Sequence, residues 1–169
     1  MIWVMSVSIL SENFRSIICS KISSKRPWLA SIAAIWLSIK AQTDLELVNG
    51  LAALLHEKKA YDSSFLDQYT EGFSRFRYSL SALDMKKISR LTHLDMAALD
   101  KTAELLNGKK LAIVIGNGVI QQKYGSQTLG AILNLSLITG SIGCAGAGIY
   151  FLARENNQLG AMDMGAVPD

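Results

Sequence analysis

The chain has 169 residues, half of them apolar and 18% charged, with a formal net charge of +3. That length suits one domain with one core, and the composition excludes a disordered or low-complexity chain. The basic residues fall in scattered pairs such as Lys58-Lys59, Lys86-Lys87 and Lys109-Lys110, which argues against a dedicated nucleic-acid face.

Two apolar runs, residues 1–10 and 28–37, open the chain. Each is shorter than the about 20 residues a membrane helix needs, and no basic segment precedes the first, so neither reads as a membrane span or a signal peptide. A strand is expected near residues 2–9, a short helix near 11–20 and a buried strand over 32–39. The two cysteines, Cys19 and Cys144, lie too far apart for a zinc or iron–sulfur site and favour a reducing compartment, while the lack of a targeting signal favours a cytoplasmic location.

Thr43-Asp-Leu-Glu46 has the spacing of a capping box. The Thr43 hydroxyl is expected to accept from the third helical amide, and Glu46 to reach back to the Thr43 amide. The helix that follows carries Leu47, Leu51, Leu54 and Leu55 on one face, and Lys58 and Lys59 suit its negative end. Residues 61–76 keep a helical pattern through Phe65, Leu66, Tyr69 and Phe73. Residues 83–91 form another short helix. Asp95 is placed to cap a helix whose face carries Met96, Leu99, Ala103 and Leu106, with Asn107-Gly108 ending it. His56 and His93 lack a partner at ligand spacing and read as structural residues.

Residues 111–115, Leu-Ala-Ile-Val-Ile, are apolar without alternation, the pattern of a parallel strand covered on both faces. Gly116-Asn-Gly-Val-Ile-Gln-Gln122 follows, and residues 126–138 form a buried helix. Strand, glycine loop and helix make half of a doubly wound unit, in which ligands bind at the C-terminal ends of the strands. The expected fold class is therefore α/β, a partial doubly wound (Rossmann-like) parallel sheet with flanking helices. From these residues alone an ordinary strand-to-helix turn is the favoured explanation of the loop. Asn117, Gln121 and Gln122 add groups that both donate and accept, which suit a pterin or guanine edge and equally suit exposed loop amides.

From residue 32 onward the chain resembles the catalytic subunits of molybdopterin oxidoreductases, the dimethyl sulfoxide reductase superfamily, and within it the formate dehydrogenase alpha-subunit branch. Trp36-Leu-Ser-Ile-Lys-Ala-Gln-Thr-Asp44 is similar to the pattern W-L-x-I-K-P-G-T-D, and Tyr69-Thr-Glu-Gly-Phe73 follows in register. Gly116 to Gln122 resembles G-x-G-x-x-Q-H, and Leu137-Ile-Thr-Gly-Ser-Ile-Gly143 resembles L-L-T-G-N-I-G. Asn156-Asn-Gln-Leu-Gly-Ala-Met-Asp-Met-Gly165 is the most specific piece.

The resemblance implies an α/β domain that helps to hold molybdenum or tungsten between two molybdopterin guanine dinucleotides. By motif position Asp44 contacts guanine. Gly116, Asn117, Gly118 and Gln121 line the pterin–dinucleotide site, and Asn156 and Asn157 sit near the crossing to the next domain. Departures are present. The family's D-P-R falls on Ser23, Ser24 and Lys25, its Pro-Gly on Ala41-Gln42, and the arginine of its R-G-Q-N-N on Ala153.

Members of this family are several times longer, with an N-terminal cysteine cluster, a cysteine or selenocysteine metal ligand and a closing C-terminal domain. The chain is thus expected to be an internal fragment. Residues 1–152 would be a partial dinucleotide-binding domain and 153–169 the start of the next. Alone it should be apo and inactive, with the remaining segments as partners if the gene is split. Three readings stay open: a piece of such an enzyme, a non-catalytic remnant, and an unrelated nucleotide-binding α/β module without redox activity.

Overall fold

The structure, a computed structural model, describes residues 2–7, 16–19, 33–152 and 157–166. Two short strands, β1 (Ile2–Val7) and β2 (Ser16–Cys19), precede five helices: α1 (Asp44–Glu57), α2 (Ser63–Tyr69), α3 (Phe73–Ser81), α4 (Met85–Thr92) and α5 (Met96–Leu106). The central strand β3 (Lys110–Gly116) leads through α6 (Asn117–Ile120) and α7 (Gly125–Ile138) to β4 (Gly148–Leu152) and α8 (Gln158–Asp163).

The architecture is mixed helix and sheet. The strands lie in the order β2-β1-β3-β4. β3 and β4 are parallel, from Ala112 opposite Gly148 to Gly116 opposite Leu152. A parallel pair needs a long crossover, and α6 and α7 supply it. β1 runs antiparallel to both β2 and β3, with Ile2 opposite Ile115 and Val7 opposite Lys110. The sheet is therefore parallel on one side of β3 and antiparallel on the other.

Successive side chains of a strand point to opposite faces. Leu111, Ile113 and Ile115 share one face of β3 and are fully buried, while Ala112 on the other face is buried as well. Helix α1 is the hub of the helical layer and packs on α7, α4 and α5. Its Leu47, Leu51, Leu54 and Leu55 enter one core with Leu99, Ala103 and Leu106 of α5 and Ile132 and Leu135 of α7. Gly50 of α1 lets Ile88 of α4 approach closely, because a Cβ there would lie 3.0 Å from an Ile88 methyl.

Several local expectations are corrected. Residues 16–19 are strand, not helix, and Ile17 and Ile18 suit a strand by their branched Cβ atoms; residues 8–15 and 20 lie outside the described residues. Residues 33–40 are irregular except for a bridge at Leu37. Their apolar alternation still buries Leu37 and Ile39.

The capping box does not close. The Thr43 hydroxyl donates to the Lys40 carbonyl at 2.7 Å, and α1 starts without a side-chain cap. Glu46 Oε2 is buried with no hydrogen-bond partner among the described residues. Residues 61–76 split into α2 and α3 at Gly72, whose φ of +76° is left-handed. Asp95 stands at the N-cap of α5 without a side-chain bond, whereas Asp62 and Asp84 cap α2 and α4 through their carboxylates.

Candidate functional site

Gly116, the last residue of β3, is extended and passes directly into the single turn of α6. Val119, fully buried, pins that turn to the core. Gly118 faces open space, since a Cβ there would meet nothing within 4 Å. Asn117 is half-buried and Gln121 exposed. The backbone then turns sharply: the Gly125 N–H donates to the Gln122 carbonyl at 3.0 Å. A side chain at Gly125 would collide with the Ile120 carbonyl, so this turn requires glycine.

The start of α1 lies against this loop. Asp44 is its first residue and is only 3% exposed. The side-chain amide of Gln122 donates to Asp44 Oδ2 at 3.0 Å, across 78 residues of sequence. This bond joins two motifs that the sequence could only set side by side. A carboxylate at the positive end of α1 and an amide-rich glycine loop therefore form one cluster at the C-terminal end of β3.

The remaining expected residues are placed differently. Asn157 is exposed at the head of α8, with φ of +60°, and its carbonyl accepts from the Ala161 N–H at 3.0 Å. Asn156 lies outside the described residues. His56 stacks on Tyr61, with ring centroids 5.9 Å apart, and His93 ends α4 in the left-handed region. No group of three His, Cys, Asp or Glu that could hold a metal occurs among the described residues. No described helix is long and apolar enough to cross a membrane.

The Thr139-Gly-Ser141 motif does structural work. The Thr139 and Ser141 hydroxyls are 2.7 Å apart, and Ser141 accepts from the Leu111 N–H at 2.8 Å. Nearby, at the opposite end of β3 from the Asp44 cluster, Lys110 Nζ donates to Asp62 Oδ2 at 2.8 Å and to the Thr139 carbonyl at 3.2 Å. A cleft of about 370 Å³ opens there between Lys59, Asp62, Lys109 and Lys110. The Lys110 hydrogen bond, with those from the Phe65 N–H and the Ser64 hydroxyl, holds the Asp62 carboxyl down at about 2 against an ordinary 3.8. Neither the sequence motifs nor helical periodicity marked this pair. The signal available was a lysine just before an apolar run, with an aspartate at an N-cap position.

The family model described as molybdopterin oxidoreductase matches residues 7–169. The chain belongs to the molybdopterin oxidoreductase family. It is 30% identical over 141 residues to formate dehydrogenase H of Escherichia coli K12, which covers 83% of this chain and 20% of that protein. It is also 30% identical to the F420-dependent formate dehydrogenase subunit alpha of Methanocaldococcus jannaschii, over 88% of this chain and 22% of that one. Among solved structures, acetylene hydratase from Pelobacter acetylenicus superposes with a TM-score of 0.66 at 22% identity, over 77% of this chain and 18% of that chain. The last likeness bears on the fold. The chain thus spans about a fifth of the length of the relatives it matches.

The residues present fit one end of a pterin dinucleotide. A buried carboxylate suits the two adjacent N–H donors of a guanine edge, and a glycine loop open to solvent at Gly118 suits close backbone approach.

Proposed function

We propose that this chain is the dinucleotide-binding portion of a formate dehydrogenase-like oxidoreductase that uses molybdopterin guanine dinucleotide with molybdenum or tungsten. The observation that carries the reading is the Gln122–Asp44 hydrogen bond, which unites the two motifs assigned to the nucleotide. Asp44 takes the guanine edge. Gly116, Asn117, Gly118 and Gln121 line the dinucleotide, with Asn156 and Asn157 beside it at the boundary near residue 153. The β3–α7–β4 unit belongs to a doubly wound sheet, and the protein works in the cytoplasm. When bound, the metal centre supplies the redox chemistry, taking the two electrons released as formate becomes carbon dioxide and a proton.

This chain's own residues bind and orient. The Asp44 carboxylate fixes the ring, the loop amides fix its rotation, and the buried floor of α1 and β3 excludes water from one side. The rest of the enclosure comes from further polypeptide. The other reading, a non-catalytic remnant, is favoured by Ala153 at the family's arginine position and by Ser23, Ser24 and Lys25 in place of D-P-R.

The test is to purify the chain alone and together with the segments that complete its relatives, then assay oxidised pterin fluorescence and released GMP. Little pterin in the isolated chain and stoichiometric pterin in the completed protein are expected. A completed protein without pterin would establish the remnant instead.

A further inference from the structure

We infer that the cleft at the Lys110 end of β3 is a binding site for a small phosphate anion carrying two or more negative charges. It lies at the opposite end of β3 from the Asp44–Gln122 contact, so the inference stands apart from the reading of that contact. Its volume, about 370 Å³, suits a small ligand. Lys59, Lys109 and Lys110 face a single carboxylate, Asp62, and the other described residues that line the cleft are uncharged, so it is positive by two charges. A concave surface of one charge sign focuses its field on an entering anion.

The backbone places these lysines. Helix α1 stops at a left-handed Lys59, φ +53°, where the Ala60 N–H donates to the Leu55 carbonyl at 2.8 Å. After α5 the chain turns at Gly108, φ +67°, and the Lys109 N–H donates to the Leu106 carbonyl at 3.2 Å. Cations are favoured at the C-terminal end of a helix, and Lys58 fills that role for α1, where it also pairs with Asp100 and Glu104. Lys59 and Lys109 are exposed, and their ammonium groups have no ion pair or hydrogen bond among the described residues. Lys110 gives two of its three ammonium protons, to Asp62 and to the Thr139 carbonyl, and keeps one. Asp62 is itself fully engaged: its Oδ1 accepts from the Ser64 hydroxyl and the Phe65 N–H, and its Oδ2 from Lys110. It therefore fixes Lys110 without neutralising the cleft. Lysine ammonium groups meet a phosphate as point charges, and the phosphate oxygens accept from several of them at once.

The experiment is titration of the isotope-labelled chain with pyrophosphate, and with inorganic phosphate for comparison, at low ionic strength, read from the glycine amide resonances. Gly108 lines the cleft and Gly140 packs against Lys110 Nζ, so both should shift saturably while Gly116 and Gly118 stay unmoved. Pyrophosphate should bind more tightly than phosphate, because it engages more of the lysines. Lys59→Gln and Lys109→Gln should each weaken pyrophosphate about fivefold, as loss of one partly exposed charge contact does. Lys59→Arg and Lys109→Arg keep the charge and should stay within about twofold of wild type. Lys86→Gln/Lys87→Gln, on α4 and outside the cleft, should also stay within about twofold, because salt screens distant charges. Thermal melts establish that each variant is folded, and a methionine variant replaces a glutamine variant that is not. Any of four results overturns the inference: no saturable shift up to about 10 mM pyrophosphate, shifts centred on Gly116 and Gly118, pyrophosphate no tighter than phosphate, or equal weakening by the α4 pair. The cleft lysines would then serve the helix ends alone.

Discussion

Lys110 opens β3 and Asp62 caps α2, so their ion pair ties the sheet to the helical layer at the end away from the Asp44–Gln122 contact. Gly140 makes the approach possible. Its φ is +61°, and a Cβ there would lie 2.5 Å from Lys110 Nζ and 2.8 Å from Asp62 Oδ2. A glycine quoted for its family motif thus has a local physical reason. Because the folded-state value of Asp62 is depressed, to about 2 from 3.8, its contribution is complete above pH 4 and is lost as pH falls towards 2. The side chains are about one-third open to water, at 34% and 30%, so screening limits the pair; we expect it to contribute about 1 kcal/mol. Asp62→Asn keeps the N-cap acceptor and removes the charge. The wild type should exceed this variant by about 1 kcal/mol in denaturant unfolding at pH 7, and the gap should close between pH 4 and 2. A constant gap across that range would show that the pair's charge is irrelevant to folding.

At the scale of elements, the helices show how far periodicity carries. In α1 the leucines at helical spacing all reach the core, because burial of a continuous stripe is what makes a helix of this length stable. Its start departs from the expected capping box because the Thr43 hydroxyl donates to the Lys40 carbonyl and accepts from no first-turn amide. The break between α2 and α3 was hidden because Tyr69 and Phe73 are four apart, so the pattern runs through a bend that Gly72 alone reveals. Strand β4 was missed within a glycine-rich stretch, since its residues form a strand only by pairing with β3. Within α1, Leu55 is fully buried at the junction of the helical layer. Leu55→Ala should lower the unfolding free energy by about 3 kcal/mol, as core leucine truncations do. A loss below about 1 kcal/mol in urea unfolding would mean that α1 is not the hub its packing describes.

At the scale of the molecule, the sheet's asymmetry decides what the chain does in solution. The apolar run of β3 announced a covered central strand, but direction was not legible for β1 and β2, because the sequence between them, residues 8–15, has no glycine or proline to signal a hairpin and β1 lies far from β3 in sequence. The candidate site was legible as separate motifs, and only the fold joined Asp44 to Gln122. At the far side, among the described residues, β4 is the outer strand of the four and presents Tyr150, Phe151 and Leu152 at 45%, 44% and 57% exposure. Natural edges are guarded by charge, proline or a bulge, and residues 148–152 have no charged residue or proline. Such an edge offers backbone groups and apolar surface together, so copies of this chain should add strands to one another. Leu152→Lys places a charge at the most exposed of the three positions, where folding loses little. It should reduce concentration-dependent light scattering while leaving the melting temperature within a few degrees. Unchanged scattering would move the cause of association away from β4, whereas a matched fall in melting temperature would show that Leu152 is part of the fold's own core.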